Sequence, residues 1–233
     1  MTRPLPERVQ AAARAMFDLT VRPITTPMTE AEMRASLSDF DGVVPTLGDF
    51  YTPAIFAAVP DQRCRLLANF GVGYNHIHVS AAREAGITVT NTPGAVTDAT
   101  ADVALTLMLM SARRAGEGER LLRAGKWEGW HPTQLLGMHL GGKTVGIVGM
   151  GRIGQAIARR CHFGFGMSVA YHSRSPKDLD FPARRLETLE ALAAAVDVLV
   201  LAVPGGAETH HLINAEVLAA MQPQAHLVNI ARG

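Results

Sequence analysis

The sequence predicts an α/β protein in which a smaller domain precedes a doubly wound parallel sheet. Short apolar segments alternate with amphipathic ones, as strands alternate with helices over a parallel sheet. A glycine-rich turn, Gly149-Met150-Gly151-Arg152-Ile153-Gly154, separates one apolar segment from the amphipathic segment that follows it. The 233 residues suffice for two domains. Because Asn91-Thr92-Pro93-Gly94 breaks the alternation, the predicted domains are 1–94 and 95–233.

The first domain is expected to contain four strands and three helices. Its strands are predicted at 17–21, 41–44, 65–70 and 88–90. Its helices are predicted at 7–16, 30–37 and 80–85.

A helix is predicted over 99–115, with Thr97 or Asp98 as its N-cap. It is apolar on nearly every face, so both of its sides must be covered, by the other domain or by a second subunit. The segment 116–142 is rich in glycine, tryptophan and basic residues and gives only weak regular structure. It predicts an arm that reaches a partner subunit, and a long surface loop is the alternative.

From Lys143 onward the alternation of strands and helices resumes. Strands are expected at 144–148, 167–171, 184–186, 198–202 and 226–230. Helices are expected at 153–160, 189–195 and 214–220.

The glycine turn follows an apolar strand and opens a helix, which makes its spacing typical of a Rossmann-type dinucleotide site. Gly149 permits a tight turn, Gly151 lets a pyrophosphate approach the backbone, and Gly154 lets helix and strand pack closely. The first helical residues, Arg152 and Ile153, lie where free N–H groups face a phosphate. The alternative is a glycine-rich turn without a ligand.

The end of the next strand favours NADP over NAD. A carboxylate there would bond the adenosine ribose, but the sequence has Ser173, Arg174 and Ser175 instead. An arginine can pair with a 2′-phosphate, and the two serines can donate hydrogen bonds to it. Alternatively, Arg174 is simply an exposed loop arginine.

Composition excludes several kinds of partner and site. The net charge of +1 and the lack of a basic stripe argue against nucleic acid. The longest apolar run, 103–110, is far too short to span a membrane. Cys64 and Cys161 have no disulfide or metal spacing, and no histidine pair has a third ligand nearby, so no metal site is expected. A reducing compartment, the cytoplasm, is the expected location.

Several ordered motifs show a family resemblance along almost the whole chain. They are Asn69-Phe70-Gly71-Val72-Gly73-Tyr74-Asn75-His76-Ile77, Asn91-Thr92-Pro93-Gly94, Thr97-Asp98-Ala99-Thr100-Ala101-Asp102, the glycine turn, Val203-Pro204 with Glu208-Thr209, and Leu227-Val228-Asn229-Ile230-Ala231-Arg232-Gly233. With these motifs the chain resembles the D-isomer-specific 2-hydroxyacid dehydrogenases, in particular the glyoxylate/hydroxypyruvate reductase branch.

The resemblance implies a flavodoxin-like substrate domain, a Rossmann-type domain and a cleft between them. It implies that the backbone N–H groups of Val72 and Gly73 hold the carboxylate of a small 2-keto or 2-hydroxy acid. An ordinary strand-to-helix turn is the alternative for that segment. It further implies an NADP or NAD site lined by Thr100, Val203, Pro204, Thr209 and Ile230.

Arg232 matches the family's catalytic arginine, which would grip the substrate carboxylate and polarise the keto group. A surface cation is the alternative. The family's acid/base carboxylate and histidine have no match among the 233 residues. We therefore expect a C-terminally truncated chain that lacks the last strands and the returning helix. The first strand is also expected to be clipped.

The resemblance also implies a homodimer, and from the truncation we expect impaired turnover. Two other functions stay open from the residues alone. One is a non-catalytic dinucleotide-binding protein, or an inactive fragment, and the other is a methyltransferase on the same fold.

Overall fold

The computed structural model describes residues 1–232 and divides into two compact units. The first unit is Met1–Val96 and the second begins at Thr97. The division therefore comes two residues after the boundary predicted between residues 94 and 95. Each unit is an α/β structure whose paired strands are all parallel, as the sequence predicts.

The first unit contains a three-stranded parallel sheet in the order β1-β2-β3. Its strands are β1 (Gly42–Val43), β2 (Leu66–Ala68) and β3 (Thr88–Thr90). Its helices are α1 (Glu7–Arg14), α2 (Glu30–Asp39), α3 (Pro53–Ala57) and α4 (Val79–Glu84). Helix α2 begins at a capping box, in which Thr29 and Glu32 bond each other's backbone N–H groups.

A buried carboxylate joins distant parts of the first unit. Asp49 is fully buried and accepts hydrogen bonds from the Thr2 hydroxyl at 2.6 Å, from the Thr46 and Met28 N–H groups at 3.0 Å, and from the Arg3 guanidinium at 3.2 Å. Burial alone would raise the pKa of the Asp49 carboxyl. The hydrogen bonds and the Arg3 charge outweigh burial, so the pKa lies below its ordinary value.

The second unit contains a five-stranded parallel sheet in the order β6-β5-β4-β7-β8. Its strands are β4 (Thr144–Val148), β5 (Ser168–His172), β6 (Arg184–Arg185), β7 (Val198–Leu201) and β8 (His226–Asn229). Its α-helices are α5 (Thr97–Ala112), α6 (Ala115–Arg123), α7 (Arg152–Arg159), α8 (Leu189–Ala195) and α9 (Ala215–Ala220). One π-turn (Arg160–Gly164) prolongs α7, and a short 3₁₀ helix covers Ala207–Thr209.

Buried side chains cover both faces of this sheet. Val145 and Ile147 of β4 pack on one side with α5 and α7, while Val148 packs on the other side with α8 and α9. The sequences of β4 and β7 are nearly continuously apolar because successive strand residues face one helical layer and then the other.

The predicted strand at 17–21 is wrong. The segment has only isolated backbone bonds, from the Phe17 N–H to the Ala13 oxygen and from the Met1 amino group to the Thr20 oxygen. Phe17 is 67% exposed, so the apolar residues that suggested a strand are not buried there. Helix α3, which begins with a proline in its first turn, was not predicted.

The prediction of only weak regular structure over 116–142 is also wrong in part, because α6 occupies its first third. Arg114 turns the chain with a φ of 54° and forms an ion pair with Glu117 at 2.7 Å in the first turn of α6. Helix α5 begins at Thr97 itself, so neither Thr97 nor Asp98 is its N-cap.

Within the described part of the chain, every helix is too short or too polar to cross a membrane.

Candidate functional site

The strand register of the second unit places most of the predicted cofactor residues along one edge. His172 lies beside Val148, Val148 beside Leu201, and Leu201 beside Asn229. These are the last residues of β5, β4, β7 and β8. The segments that leave this edge begin with Gly149, Ser173, Ala202 and Ile230. The strand order reverses direction between β4 and β7, where open α/β sheets bind their ligands.

Each glycine of the turn has a separate steric environment. Gly149 has a φ of 94°, and a Cβ added there would lie 2.8 Å from the Ala202 oxygen. A Cβ on Gly154 would collide with the Gly149 oxygen, so α7 packs as closely on β4 as the sequence predicts. A Cβ on Gly151 would meet no atom within 4 Å. Gly151 therefore borders open space, while its two neighbours in the motif are packed.

Helix α7 begins at Arg152 with Gly151 as an N-cap that has no side chain to bond the first N–H groups. Arg152 is exposed and Ile153 is half-buried against the core. Arg160 stabilises the far end of the helix through ion pairs at 3.0 Å with Asp98 and at 2.9 Å with Asp102, both on α5. The first turn of α7 thus presents unpaired N–H groups beside Gly151.

The first residues after β5, Ser173 to Ser175, include no carboxylate, but Arg174 has an acidic neighbour from another loop. Its guanidinium lies 3.2 Å from Glu208 in an ion pair whose side chains are 90% and 83% exposed. The Ser173 hydroxyl donates to the Ser175 oxygen at 2.7 Å, so this serine is engaged within its own loop.

The remaining residues predicted to bind the cofactor lie on three segments. After β7, Val203 is half-buried, Pro204 is exposed, and the Thr209 hydroxyl donates to the Pro204 oxygen at 2.7 Å. After β8, Ile230 packs against the core. Thr100 is half-buried on α5, which packs against α7 and β8.

Arg232, two residues beyond Ile230, is exposed and has no ion-pair partner among residues 1–232. Gly233 lies outside the described residues.

In the first unit, side-chain amides hold the loop that contains Val72 and Gly73. Asn69 is 2% exposed, and its Nδ2 donates to the Gly71 oxygen at 3.0 Å and to the Gly73 oxygen at 2.9 Å. The Nδ2 of Asn91 donates to the Val72 oxygen at 2.8 Å. Neither the Val72 nor the Gly73 N–H makes a hydrogen bond within the described part of the chain.

Residues 1–232 contain no cluster of three or more histidine, cysteine or acidic side chains able to hold a metal ion.

Comparison with known proteins agrees with this geometry. Residues 105–233 match the model of the D-isomer specific 2-hydroxyacid dehydrogenase NAD binding domain. The whole chain is 43% identical to a glyoxylate reductase of Thermococcus kodakarensis and covers 71% of that protein. The chain belongs to the D-isomer-specific 2-hydroxyacid dehydrogenase family. It is therefore by family a hydroxyacid oxidoreductase with a nicotinamide dinucleotide domain.

Solved structures give the same result for the fold. A Thermus thermophilus protein has a TM-score of 0.90 and 42% identity, with 100% of this chain and 73% of that one covered. An NADPH-dependent glyoxylate/hydroxypyruvate reductase of Sinorhizobium meliloti, solved with NADP and malonate, has a TM-score of 0.83 and 38% identity. This chain is covered in full by that structure, of which it spans 70%.

Three residues with contacts at these sites were given no role from the sequence. They are Asn69 and Asn91, which hold the loop at 71–73, and Glu208, which pairs with Arg174. Asn91 and Glu208 contact residues that are distant along the chain, and Asn69 acts on backbone carbonyl groups. No local sequence spacing therefore identifies any of the three. The available sequence signal is that Asn69 and Asn91 lie beside apolar segments, because a side-chain amide buried among apolar residues needs hydrogen-bond partners.

Proposed function

We propose that this chain is the core of an NADP-preferring reductase of glyoxylate, hydroxypyruvate or a similar small 2-keto acid. The observation that supports the proposal most directly is the open space at Gly151, flanked by the packed Gly149 and Gly154. A diphosphate can approach the backbone only where no Cβ stands in its way. The residues present therefore fit a dinucleotide.

The proposed roles divide along the sheet edge. Gly149, Gly151, Gly154 and the first N–H groups of α7 would hold the diphosphate, and Ser173, Arg174 and Ser175 would hold the 2′-phosphate of NADP. Val203, Pro204 and Thr209 would line the adenosine and phosphate side. Thr100 and Ile230 would lie at the nicotinamide, which supplies the hydride when the cofactor is bound.

Substrate binding is proposed for three residues. The N–H groups of Val72 and Gly73 would bind the carboxylate of the keto acid, because two adjacent N–H groups hold an anion without a charged side chain. Arg232, by its match to the family's catalytic arginine, would bind a substrate carboxylate and stabilise negative charge on the keto oxygen as hydride arrives at the adjacent carbon.

The family's acid/base pair has no match in these 233 residues, so we propose that they turn over poorly by themselves. A cytoplasmic location is proposed from the two free cysteines, which are both buried.

A homodimer is proposed from α5. Its residues Val103, Leu107, Leu109 and Met110 are exposed, although the opposite side of the helix is buried. A second copy that covers this apolar face would explain a helix without a polar side.

The decisive experiment compares Gly151→Val with Gly164→Val in a fluorescence titration with NADPH. Gly151 is extended, with a φ of −82°, and both glycines border open space, so both variants should fold. The valine at 151 would occupy the position proposed for the diphosphate and should weaken NADPH binding by about tenfold or more. The valine at 164 should leave affinity within about twofold.

Equal affinities of both variants and the parent chain would refute the dinucleotide site. A steady-state assay with NADPH and glyoxylate that gives ordinary enzyme rates for the 233 residues would refute their proposed impairment.

A further inference from the structure

The side-chain amides of Asn69 and Asn91 bond the carbonyl groups of the loop at 71–73 in a specific pattern. The Nδ2 of Asn69 donates to the Gly71 oxygen, and the Nδ2 of Asn91 donates to the Val72 oxygen. The Gly71 carbonyl belongs to the same peptide unit as the Val72 N–H, and the Val72 carbonyl to the same unit as the Gly73 N–H. In a trans peptide the C=O and N–H groups point in opposite directions. A bond to each carbonyl therefore fixes the direction of one N–H.

We propose that Asn69 and Asn91 are positioning residues that aim the Val72 and Gly73 N–H groups at a substrate carboxylate. The inference rests on the proposed function, which assigns the carboxylate to these two N–H groups. It adds that each N–H has its own asparagine, Asn69 for Val72 and Asn91 for Gly73.

The orientation of the Asn69 amide supports this assignment. Its Oδ1 is buried without a hydrogen-bond partner among the described residues, while its Nδ2 serves the oxygens of Gly71 and Gly73. A reversed amide would place Oδ1 against two carbonyl oxygens and leave both of them without this donor. The side chain therefore leaves one acceptor unsatisfied, at a cost in stability, in order to hold two carbonyls.

The two asparagines should differ in importance. The Gly71 oxygen also accepts from the Thr92 N–H at 3.1 Å, so its direction is supported twice. The Val72 oxygen accepts from Asn91 alone within the described part of the chain. Loss of Asn91 should therefore disturb the Gly73 N–H more than loss of Asn69 disturbs the Val72 N–H.

The test is a titration of the ¹⁵N-labelled chain with oxalate, a dicarboxylate probe, followed by the amide resonances of Val72 and Gly73. Chloride at matched ionic strength serves as the control anion. The variants are Asn69→Ala and Asn91→Ala. Asn75→Ala is the matched control, because Asn75 is exposed in the same segment and makes no hydrogen bond with another of residues 1–232.

In the parent chain, both resonances should move saturably with oxalate and not with chloride. Asn91→Ala should raise the oxalate Kd about threefold to tenfold, the range that one hydrogen bond contributes, with the largest loss of response at Gly73. Asn69→Ala should act mainly at Val72, and Asn75→Ala should leave the Kd within about twofold. If Asn69→Ala does not fold, Asn91→Ala still tests whether one asparagine orients one N–H group, because Asn91 is only half-buried.

The possible failures are distinguishable. A parent chain whose two resonances ignore oxalate would overturn the substrate loop of the proposed function, and this inference with it. A parent chain that responds, with variants of equal Kd, would overturn the positioning role alone. Variants that only lower the melting temperature would show that the asparagines serve stability.

Discussion

Arg174 should decide which dinucleotide the second unit prefers. The side chains of Arg174 and Glu208, which form an ion pair, are 90% and 83% exposed. The pair is therefore worth about 0–1 kcal/mol, and Arg174 can leave it to bind a phosphate. Charge-assisted hydrogen bonds from a guanidinium to a phosphate contribute about 1.5–3 kcal/mol. The net gain of about 0.5–3 kcal/mol corresponds to roughly twofold to 150-fold in affinity. Arg174→Ala should weaken NADPH by that factor and change NADH by less than about twofold.

Glu208→Gln extends the same argument in the opposite direction. It releases Arg174 and removes a negative charge near the proposed 2′-phosphate, so NADPH affinity should rise by up to about fivefold. Matched controls come from α6, where Arg123 and Glu119 form another exposed pair at 2.8 Å. Arg123→Ala and Glu119→Gln should leave both cofactors unaffected.

The assay is fluorescence titration with NADPH and NADH at several salt concentrations, since the contribution of an exposed arginine should shrink as salt screens it. If Arg174→Ala weakens both cofactors equally, or weakens neither, the proposed preference for NADP is wrong.

Three further predictions concern stability and assembly. Gly154→Ala should lower the free energy of unfolding by about 3 kcal/mol or more in urea, because the added Cβ collides with backbone, whereas Gly164→Ala should change it little. The lowered pKa of Asp49 means that its carboxylate stabilises the fold above the ordinary pKa of 3.8 and loses this effect as pH falls from there through the lowered pKa of the folded state. Asp49→Asn should therefore flatten the acid limb of a stability–pH curve, and an unchanged limb would contradict the assignment. Leu107→Lys should shift sedimentation toward the monomer, while a parent chain that is monomeric at high concentration would count against the dimer.

The second unit was predictable because its sequence signals are local and steric. The glycine spacing at 149, 151 and 154 sits between a strand and a helix, and the structure contains both elements. The parallel topology followed from the alternation of elements. Helix α6 was missed because Gly116 and Gly118 lower helix propensity, while an ion pair in its first turn supports it.

The first unit was less predictable because its contacts are long-range. The segment 17–21 has strand-like composition, yet it makes only isolated hydrogen bonds, one with Ala13 and one with Met1. Asp49 bonds Thr2 and Met28, which are 47 and 21 residues away along the chain. Asn91 and Val72 are 19 residues apart. Propensity and spacing do not encode such pairings, since they depend on how loops close in three dimensions.

The geometry of the turn implies that its shape does not depend on a ligand. The Gly149 N–H donates to the His172 oxygen at 3.0 Å, and Gly154 packs against the Gly149 oxygen, so both ends of the turn are fixed by the protein itself. Arg160 joins α7 to α5 through two acidic side chains, which fixes the axis along which the free N–H groups point. A dinucleotide would therefore meet donors that are already oriented, and binding would order few backbone groups. A side chain added at 149 or 154 would collide with packed atoms, so substitutions there should act on folding. A side chain added at Gly151 would enter open space, so substitutions there should act on binding.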